Sequence, residues 1–464
     1  MKNRYKDLIE QTYDFPQEGF DVNEKNELLF NDLNLMELIE IYGTPFKLTF
    51  LPKISAQIQK SKSLFKQAID KLGYKGNYYY CYCTKSNHFS FVMNEALKND
   101  IHIETSSAFD IDIVRNLFEQ GKVDKNVYVI SNGYKPKIYT DKLCQLYNDG
   151  FTNIIPIIDN KKEIHDYYYG IQGDLKLGIR IASEEEPSYE FYTSRLGIRY
   201  NEIVDFYREN IQPHPKFQLK MLHFFVNKGI KDDAYYWSEL NKSINVYCEL
   251  KKHCNQLDSL NIGGGFPIRN TFNFNYDYGY MIEEILLQVQ SACAQEGVPE
   301  PNIFTEFGSY TVGESGAYVF SILGEKQQND SERWYMIDSS LMTTMPDIWG
   351  MDQRFILLPI NKWDNEYQRV NIGGLSCDVS DYYNSGMEID QLYLPKINNT
   401  EPLYIGYFHT GAYQDSLSGY GGIKHCLIPA PKHIVIARDE NGQIQHQLFA
   451  EEQQSHSMLK LLGY

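Results

Sequence analysis

Between Pro45 and Gly316, short β-type runs alternate with helical stretches. This alternation constrains the fold more than any other feature of the 464-residue chain. The runs are "NYYYCYCT", "IHIET", "VYVIS", "NIIPII", "KLGIRIA", "MLHFFV", "SLNIGGG" and "NIFTEF". Helical stretches lie between them, such as "DYGYMIEEILLQVQSACAQEG" and "AFDIDIVRNLFEQG", where Ile111, Val114, Leu117 and Phe118 share one face. Strands separated by helices of this length pair in parallel. Eight such units in roughly this length fit a (β/α)8 TIM-like barrel. A doubly wound open sheet is the alternative, and the even spacing favours closure. An earlier helix is predicted in "NDLNLMELIEIYGTP", with Asp32 as N-cap, Gly43 at its stop and Pro45 beyond.

After Gly316 the pattern changes. "AYVFSILGEK", "RWYMIDSSL", "RFILLPI", "YQRVNIGGLSC", "PLYIGYF", "KHIVIA" and "QIQHQLF" read as strands with turn signals and almost no helix, and Asn441-Gly442 marks a hairpin. The α/β chain is therefore expected to hold a barrel over residues 46–316. A second, all-β domain, a sandwich or barrel, is expected from residues 1–45 and 317–464.

Composition narrows the function. A net charge of -17 argues against a nucleic-acid groove and suits small cationic substrates. The first twenty residues lack the apolar core of a signal peptide, and no window approaches a membrane span. Eight cysteines occur without CxxC or a His/Cys cluster at zinc spacing. Reduced thiols, a cytoplasmic location and no metal site are the expectation.

Barrel enzymes work at the C-terminal ends of their strands. Lys85 ends the first run, Glu104 the second, Asn132-Gly133 the third and Arg180 the fifth. His223 and Phe225 lie in the sixth, Gly263, Gly264 and Gly265 end the seventh, and Glu306 ends the eighth. Each alone has a plain explanation: Lys85 snorkels to water, Glu104 or Arg180 forms an ion pair, the glycines make a tight turn. Together they bring an amine, carboxylates and a glycine loop with free N–H groups to one mouth. Such a loop binds phosphate. Lysine, phosphate loop and carboxylate are what pyridoxal phosphate requires for a Schiff base, an anchor and a protonated ring nitrogen.

On these residues the chain resembles the fold-type III pyridoxal-phosphate decarboxylases, which act on ornithine, diaminopimelate and arginine, and have an alanine racemase-like barrel plus β-domain. "YYCYCTKSN" is similar to the family's lysine strand, "IHIETSSAFDIDIV" to its second strand and helix, "SNGYKP" to its asparagine-glycine turn and "NIGGGFP" to its phosphate loop. "IFTEFG", "GGLSCD" and "FHTGAY" resemble the glutamate strand, the cysteine-aspartate motif and the C-terminal tyrosine. "MTTMPDIWGMDQRFILLPI" and "GAYQDSL" resemble the biosynthetic arginine decarboxylases in particular.

The resemblance implies a homodimer with shared sites that decarboxylates L-arginine to agmatine for polyamine synthesis. Lys85 would anchor the cofactor, Glu306 would pair with its ring nitrogen, and Gly263, Gly264, Gly265 and Tyr413 would hold its phosphate. Cys377 would protonate the substrate α carbon. Asp378 would bind the distal cation from the partner subunit, with Glu104 and Arg180 as supports near ring and lysine.

Three departures stand out. Phe225 occupies the place of the histidine that stacks on the cofactor, with Asn227 and Lys228 where the family has glycine-serine. Ser309 stands where an arginine binds phosphate, a charge that Lys228 would restore. The extra segments of longer arginine decarboxylases are missing. The alternatives are another basic amino acid (ornithine, lysine or diaminopimelate) or a cofactor-free regulatory protein. Asp378 and Asp381 weigh against diaminopimelate, whose distal carboxylate needs a cation.

Overall fold

The computed structural model describes residues 15–184, 193–330, 332–351, 353–383, 392–398 and 401–464. The stretch read for a leader falls, as far as residue 14, outside them, as does Asp352 of the arginine-decarboxylase motif. The chain divides into two compact units. One comprises residues 54–267 and 275–311, the other residues 1–53, 268–274 and 312–464.

The first unit is a closed parallel barrel. Its strands are β1 (Tyr78–Cys83), β2 (His102–Thr105), β3 (Val129–Ser131), β4 (Ile154–Ile158), β5 (Leu175–Ala182), β6 (Phe217–His223), β7 (Ser259–Asn261) and β8 (Asn302–Phe307). Each pairs with its neighbour in sequence, and β8 pairs with β1 to close the ring. The eight runs read from the sequence are these strands. Several boundaries shift by a few residues, and the one that bears on the site is that of β6, which begins at Phe217 and ends at His223, so Phe225 lies two residues beyond it rather than within it.

Alternation along the strands sends one set of side chains into the barrel. Cys81, Ile130, Ile155, Ile157, Met221 and Phe304 pack there, with Tyr79 and Tyr128 partly buried against them. Cys81 thus fills core space. Above this apolar plug the inward positions turn polar. The helix Ala108–Glu119 begins with a capping box between Ser107 and Asp110 and buries Ile111, Val114 and Leu117. Phe118, expected on that face, is not buried with them but about a third exposed, its ring edge-on to Phe151.

In the second unit, strand Gly316–Gln327 pairs with Phe46–Phe50, Arg333–Ile337 and Tyr404–Phe408. Its alternate side chains serve two cores. Ala317 and Val319 join Leu48, Phe30, Trp363 and Ile434, whereas Tyr318, Phe320 and Ile322 join Tyr335, Leu357 and Tyr407. The strand Phe46–Phe50 therefore belongs to this sheet and not to the barrel, despite the boundary expected at residue 46. All five of its side chains are buried, which is what a central strand requires. Lys432–Arg438 and Ile444–Ala450 form the predicted hairpin, with Gly442 at φ 78°. The helix Leu35–Tyr42 is capped by Asn34, whose side chain accepts from the Met36 N–H, and not by Asp32.

The loop after β3 is held by a buried ion pair. Lys135 Nζ donates to the carbonyls of Gly133 (2.9 Å) and Ile157 (2.6 Å) and to Glu163 Oε2 (3.0 Å). Both side chains are essentially inaccessible. Burial pushes the Glu163 carboxyl up to about 7 in spite of the lysine, and pulls Lys135 down. With its folded pKa above the ordinary 4.5, Glu163 detracts from stability progressively as pH rises from there towards 7. Lys135→Met, which strands that carboxylate, is expected to destabilise the protein by about 3–5 kcal/mol at pH 8. The loss should be smaller at pH 5, where Glu163 is protonated. Urea melts at both pH values measure the difference.

Candidate active site

The polar residues at the C-terminal end of the barrel form one connected set, and local structure explains how each arrives there. Lys85 lies in a single 3-10 turn, Thr84–Ser86, that directly follows β1. Its Nζ donates to Cys83 Sγ (2.9 Å), Glu104 Oε2 (3.2 Å) and Ser106 Oγ (3.4 Å). The side chain is 47% exposed while Glu104 is fully buried. The amine is thus tied across the barrel mouth to β2 rather than merely extended into solvent. Burial, and then the Glu104 carboxylate, push the Cys83 thiol well up, so it faces the lysine protonated.

Glu104 and Glu306 are two buried carboxylates joined by one amide. Asn132 Nδ2 donates to Glu104 Oε1 (2.9 Å) and to Glu306 Oε2 (2.8 Å), one amide hydrogen for each. Asn261 Nδ2 donates to Glu306 Oε1 (2.6 Å), and Ser106 Oγ to Glu104 Oε1 (2.7 Å). His223 Nε2 is 3.3 Å from Glu306 Oε2. That contact is out of line for a hydrogen bond, and both imidazole nitrogens are buried without a partner among the described residues. Asn132 Oδ1 and Arg180 Nε are likewise buried and unpaired. Burial raises the Glu306 pKa. The facing His223, the Lys85 ammonium and the Asn132 hydrogen bond outweigh it and bring the carboxyl down to about 2.

The glycines after β7 are demanded by close backbone approach. A Cβ on Gly264 would lie 2.2 Å from the Glu306 carbonyl oxygen. One on Gly265, at φ 108°, would lie 2.7 Å from the Gly229 Cα. Gly263, at φ 69°, takes its N–H to Asn261 Oδ1 (2.9 Å) and its carbonyl accepts from the Glu306 N–H (2.8 Å). The same two strand ends that carry Asn261 and Glu306 therefore also position the loop. Phe225 packs beside it, with the Arg180 guanidinium 6.0 Å from its ring centre.

Cys377, Asp378 and Tyr413 lie in the β-rich unit. The loop after strand Asn371–Gly373 is pinned by Asp381, which is buried and accepts from the N–H groups of Met342 (3.0 Å) and Ser376 (2.9 Å). Its carboxylate is spent on the backbone, so Asp381 does not serve with Asp378 as a cation-binding group. Asp378 Oδ1 accepts the Ser380 N–H (2.8 Å). Cys377 is exposed. Tyr413 has left-handed backbone, φ 65°, at the start of the short helix Gln414–Ser418.

The chain matches the family described as "pyridoxal-dependent decarboxylase, pyridoxal binding domain" over residues 55–313. It is 20% identical to a biosynthetic arginine decarboxylase of Prochlorococcus marinus (strain MIT 9215), over 98% of this chain and 90% of the relative. That alignment spans 592 positions against 464 residues here, so the relative holds segments this chain lacks. Biosynthetic arginine decarboxylase SpeA from Campylobacter jejuni shares the fold with a TM-score of 0.79 at 18% identity, covering 97% of this chain and 89% of that one. Diaminopimelate decarboxylase from M. jannaschii, solved in co-complex with L-lysine, also has a TM-score of 0.79, at 15% identity, covering 96% of this chain and 98% of that one. This chain belongs to the pyridoxal-dependent decarboxylases.

Pyridoxal phosphate is the cofactor of that family, and the barrel mouth fits it. An amine, an ionised carboxylate and a glycine loop that excludes side chains converge there, as do buried polar atoms still lacking partners. The residues expected at the mouth, Lys85, Glu104, Arg180, Phe225, Gly263, Gly264, Gly265 and Glu306, all belong to the barrel unit. Asn261 was overlooked by sequence reasoning. Its signal was its place two residues before the glycine triplet, at the end of a strand.

Two variants test this geometry. Glu306→Gln places an amide where Asn132 and Asn261 both donate, and is expected to lower kcat far more than it raises KM. Its effect on stability has a defined pH window, because the depressed Glu306 pKa contributes fully above the ordinary 4.5 and is lost as pH falls towards about 2. The wild-type advantage over Glu306→Gln, read from acid unfolding curves, should shrink across that interval. Gly264→Ala must displace backbone, and should destabilise the protein by about 1–3 kcal/mol. Thermal melts and cofactor retention on gel filtration measure this.

Proposed function

We propose that this chain decarboxylates L-arginine to agmatine and CO2, as a homodimer with shared sites that supplies polyamine synthesis. The observation that carries the reaction class is the buried Glu104–Asn132–Glu306 bridge beside Lys85. Lys85 is the covalent anchor for the cofactor aldehyde. Glu306, held ionised, keeps a proton on the ring nitrogen, a charge-assisted bond worth about 1.5–3 kcal/mol. Asn132 prevents the two carboxylates from repelling each other and fixes Glu306 in place. Gly263, Gly264 and Gly265, with Tyr413, hold the phosphate. Arg180 and Phe225 would border the cofactor, to which the unpaired Arg180 Nε would offer a donor. Bound there, the cofactor would supply a sink for the electron pair left on the α carbon when CO2 departs. Cys377 returns a proton to that carbon.

Asp378 binds the distal cation. An acidic group on an exposed loop suits a guanidinium, which can take two parallel hydrogen bonds from one carboxylate. The near-full-length likeness to curated arginine decarboxylases supports arginine over other substrates. A basic amino acid such as diaminopimelate or lysine is the second reading, favoured by the equal structural likeness to diaminopimelate decarboxylase.

CO2 release measured across arginine, ornithine, lysine and diaminopimelate decides the substrate, and arginine is expected to be turned over fastest. Lys85→Ala should lose the visible absorbance of the lysine-linked cofactor and fall in activity by orders of magnitude. Asp378→Ala should keep that absorbance and lose most arginine turnover. Mixing the two variants tests the shared site: with free subunit exchange about half the dimers are hybrids, each with one intact site, so activity should return to roughly a quarter of wild type. Hybrids that form without activity would place the whole site in one chain.

A further inference from the structure

The sequence spacing shows no His/Cys cluster, yet the fold assembles one in the β-rich unit. Cys377, from the loop after strand Asn371–Gly373, meets His425 and Cys426, from the 3-10 turn His425–Leu427. The three ligand atoms lie within 4.8 Å of one another, and all three residues are exposed. The two sulfurs are 3.5 Å apart. Two thiolates on one tetrahedral zinc-class ion, with bonds of about 2.3 Å, stand about 3.8 Å apart, whereas a disulfide needs about 2.05 Å. The observed spacing is close to a metal bite and far from a bond. The backbone supports the same conclusion: Cys426 and Leu427 both hold left-handed φ, 53° and 52°, a conformation uncommon for such residues. This tight turn presents His425 and Cys426 as adjacent ligands.

We propose that Cys377, His425 and Cys426 form a binding site for a soft divalent cation of the zinc class. Two thiols lose their protons to solvent as the ion binds, an imidazole nitrogen completes a three-ligand set, and the fourth position stays open to water. A cation bound by Cys377 holds it as thiolate, since a coordinating thiol gives up its proton. Binding therefore removes the proton that Cys377 would deliver in the reaction. This inhibitory consequence rests on the role proposed for Cys377; the binding itself does not.

The test uses the purified, cofactor-loaded protein, reduced and stripped of metal, with zinc sulfate as the probe. Equilibrium dialysis followed by elemental analysis should find one zinc equivalent more per chain in wild type than in Cys426→Asn. The replacement suits left-handed backbone, in which asparagine is readily accommodated, and leaves Cys377 in place. His425→Asn should weaken zinc by at least about tenfold, as losing one ligand of three implies. Thermal melts without zinc should superimpose for all three proteins. Equal zinc binding by wild type and Cys426→Asn overturns the proposal, and so does a wild type whose Cys377 and Cys426 peptides are recovered joined by a disulfide with no zinc taken up. Zinc that binds at this site and inhibits wild type but not Cys426→Asn supports both the site and its consequence. Zinc that binds there without inhibition leaves the site standing and removes Cys377 from the reaction.

Discussion

Asn132 placed between two buried carboxylates is the contact on which the barrel mouth depends. Glu104 and Glu306 come from β2 and β8, on either side of β1, and both are almost inaccessible. Two carboxylates so close cannot both stay ionised unless their charge is compensated. The asparagine gives each a hydrogen, Lys85 adds a cation on one side and His223 faces the other. An aspartate at position 132 would add a third acceptor where donors are required. The Lys135–Glu163 pair then holds the loop that carries Asn132, so one buried ion pair supports the geometry of another set of charges.

The glycine loop shows how one stretch meets two demands. Its residues must be small because any added Cβ would stand well inside van der Waals contact of the β8 carbonyl of Glu306 and the turn at Gly229. The same absence of side chains admits a phosphate to the Gly264 and Gly265 N–H groups, the Gly263 N–H being taken by Asn261. Packing alone would have required glycine there, so the triplet taken by itself argues as strongly for close approach as for a ligand. Its position beside Glu306 and Asn261 is what ties it to chemistry.

The β-rich unit distributes its acidic groups by burial. Asp381 and Asp378 are three residues apart and look equivalent in the sequence. Asp381 is consumed by two backbone N–H groups, whereas Asp378 stays half-exposed on the loop that Asp381 organises. Only Asp378 is therefore suited to meet a charged ligand.

The eight barrel strands, the β-rich C-terminal region and the placement of Lys85, Glu104, Arg180, Gly263–265 and Glu306 at strand ends were legible from the chain itself. Period, strand length and order are local properties, and the end of a parallel strand defines the barrel mouth wherever the strand falls. Helix capping by Asn34 instead of Asp32, and the end of β6 before Phe225, were not legible, because boundaries depend on which competing hydrogen bond the packed chain satisfies. Neither was the bridge from Asn132 to both glutamates, since those three residues meet only when closure of the barrel sets the register across β8, β1, β2 and β3. The meeting of Cys377 with His425 and Cys426 belongs to the same class. Forty-nine residues separate the two cysteines, and only the folding of the β-rich unit brings their sulfurs together.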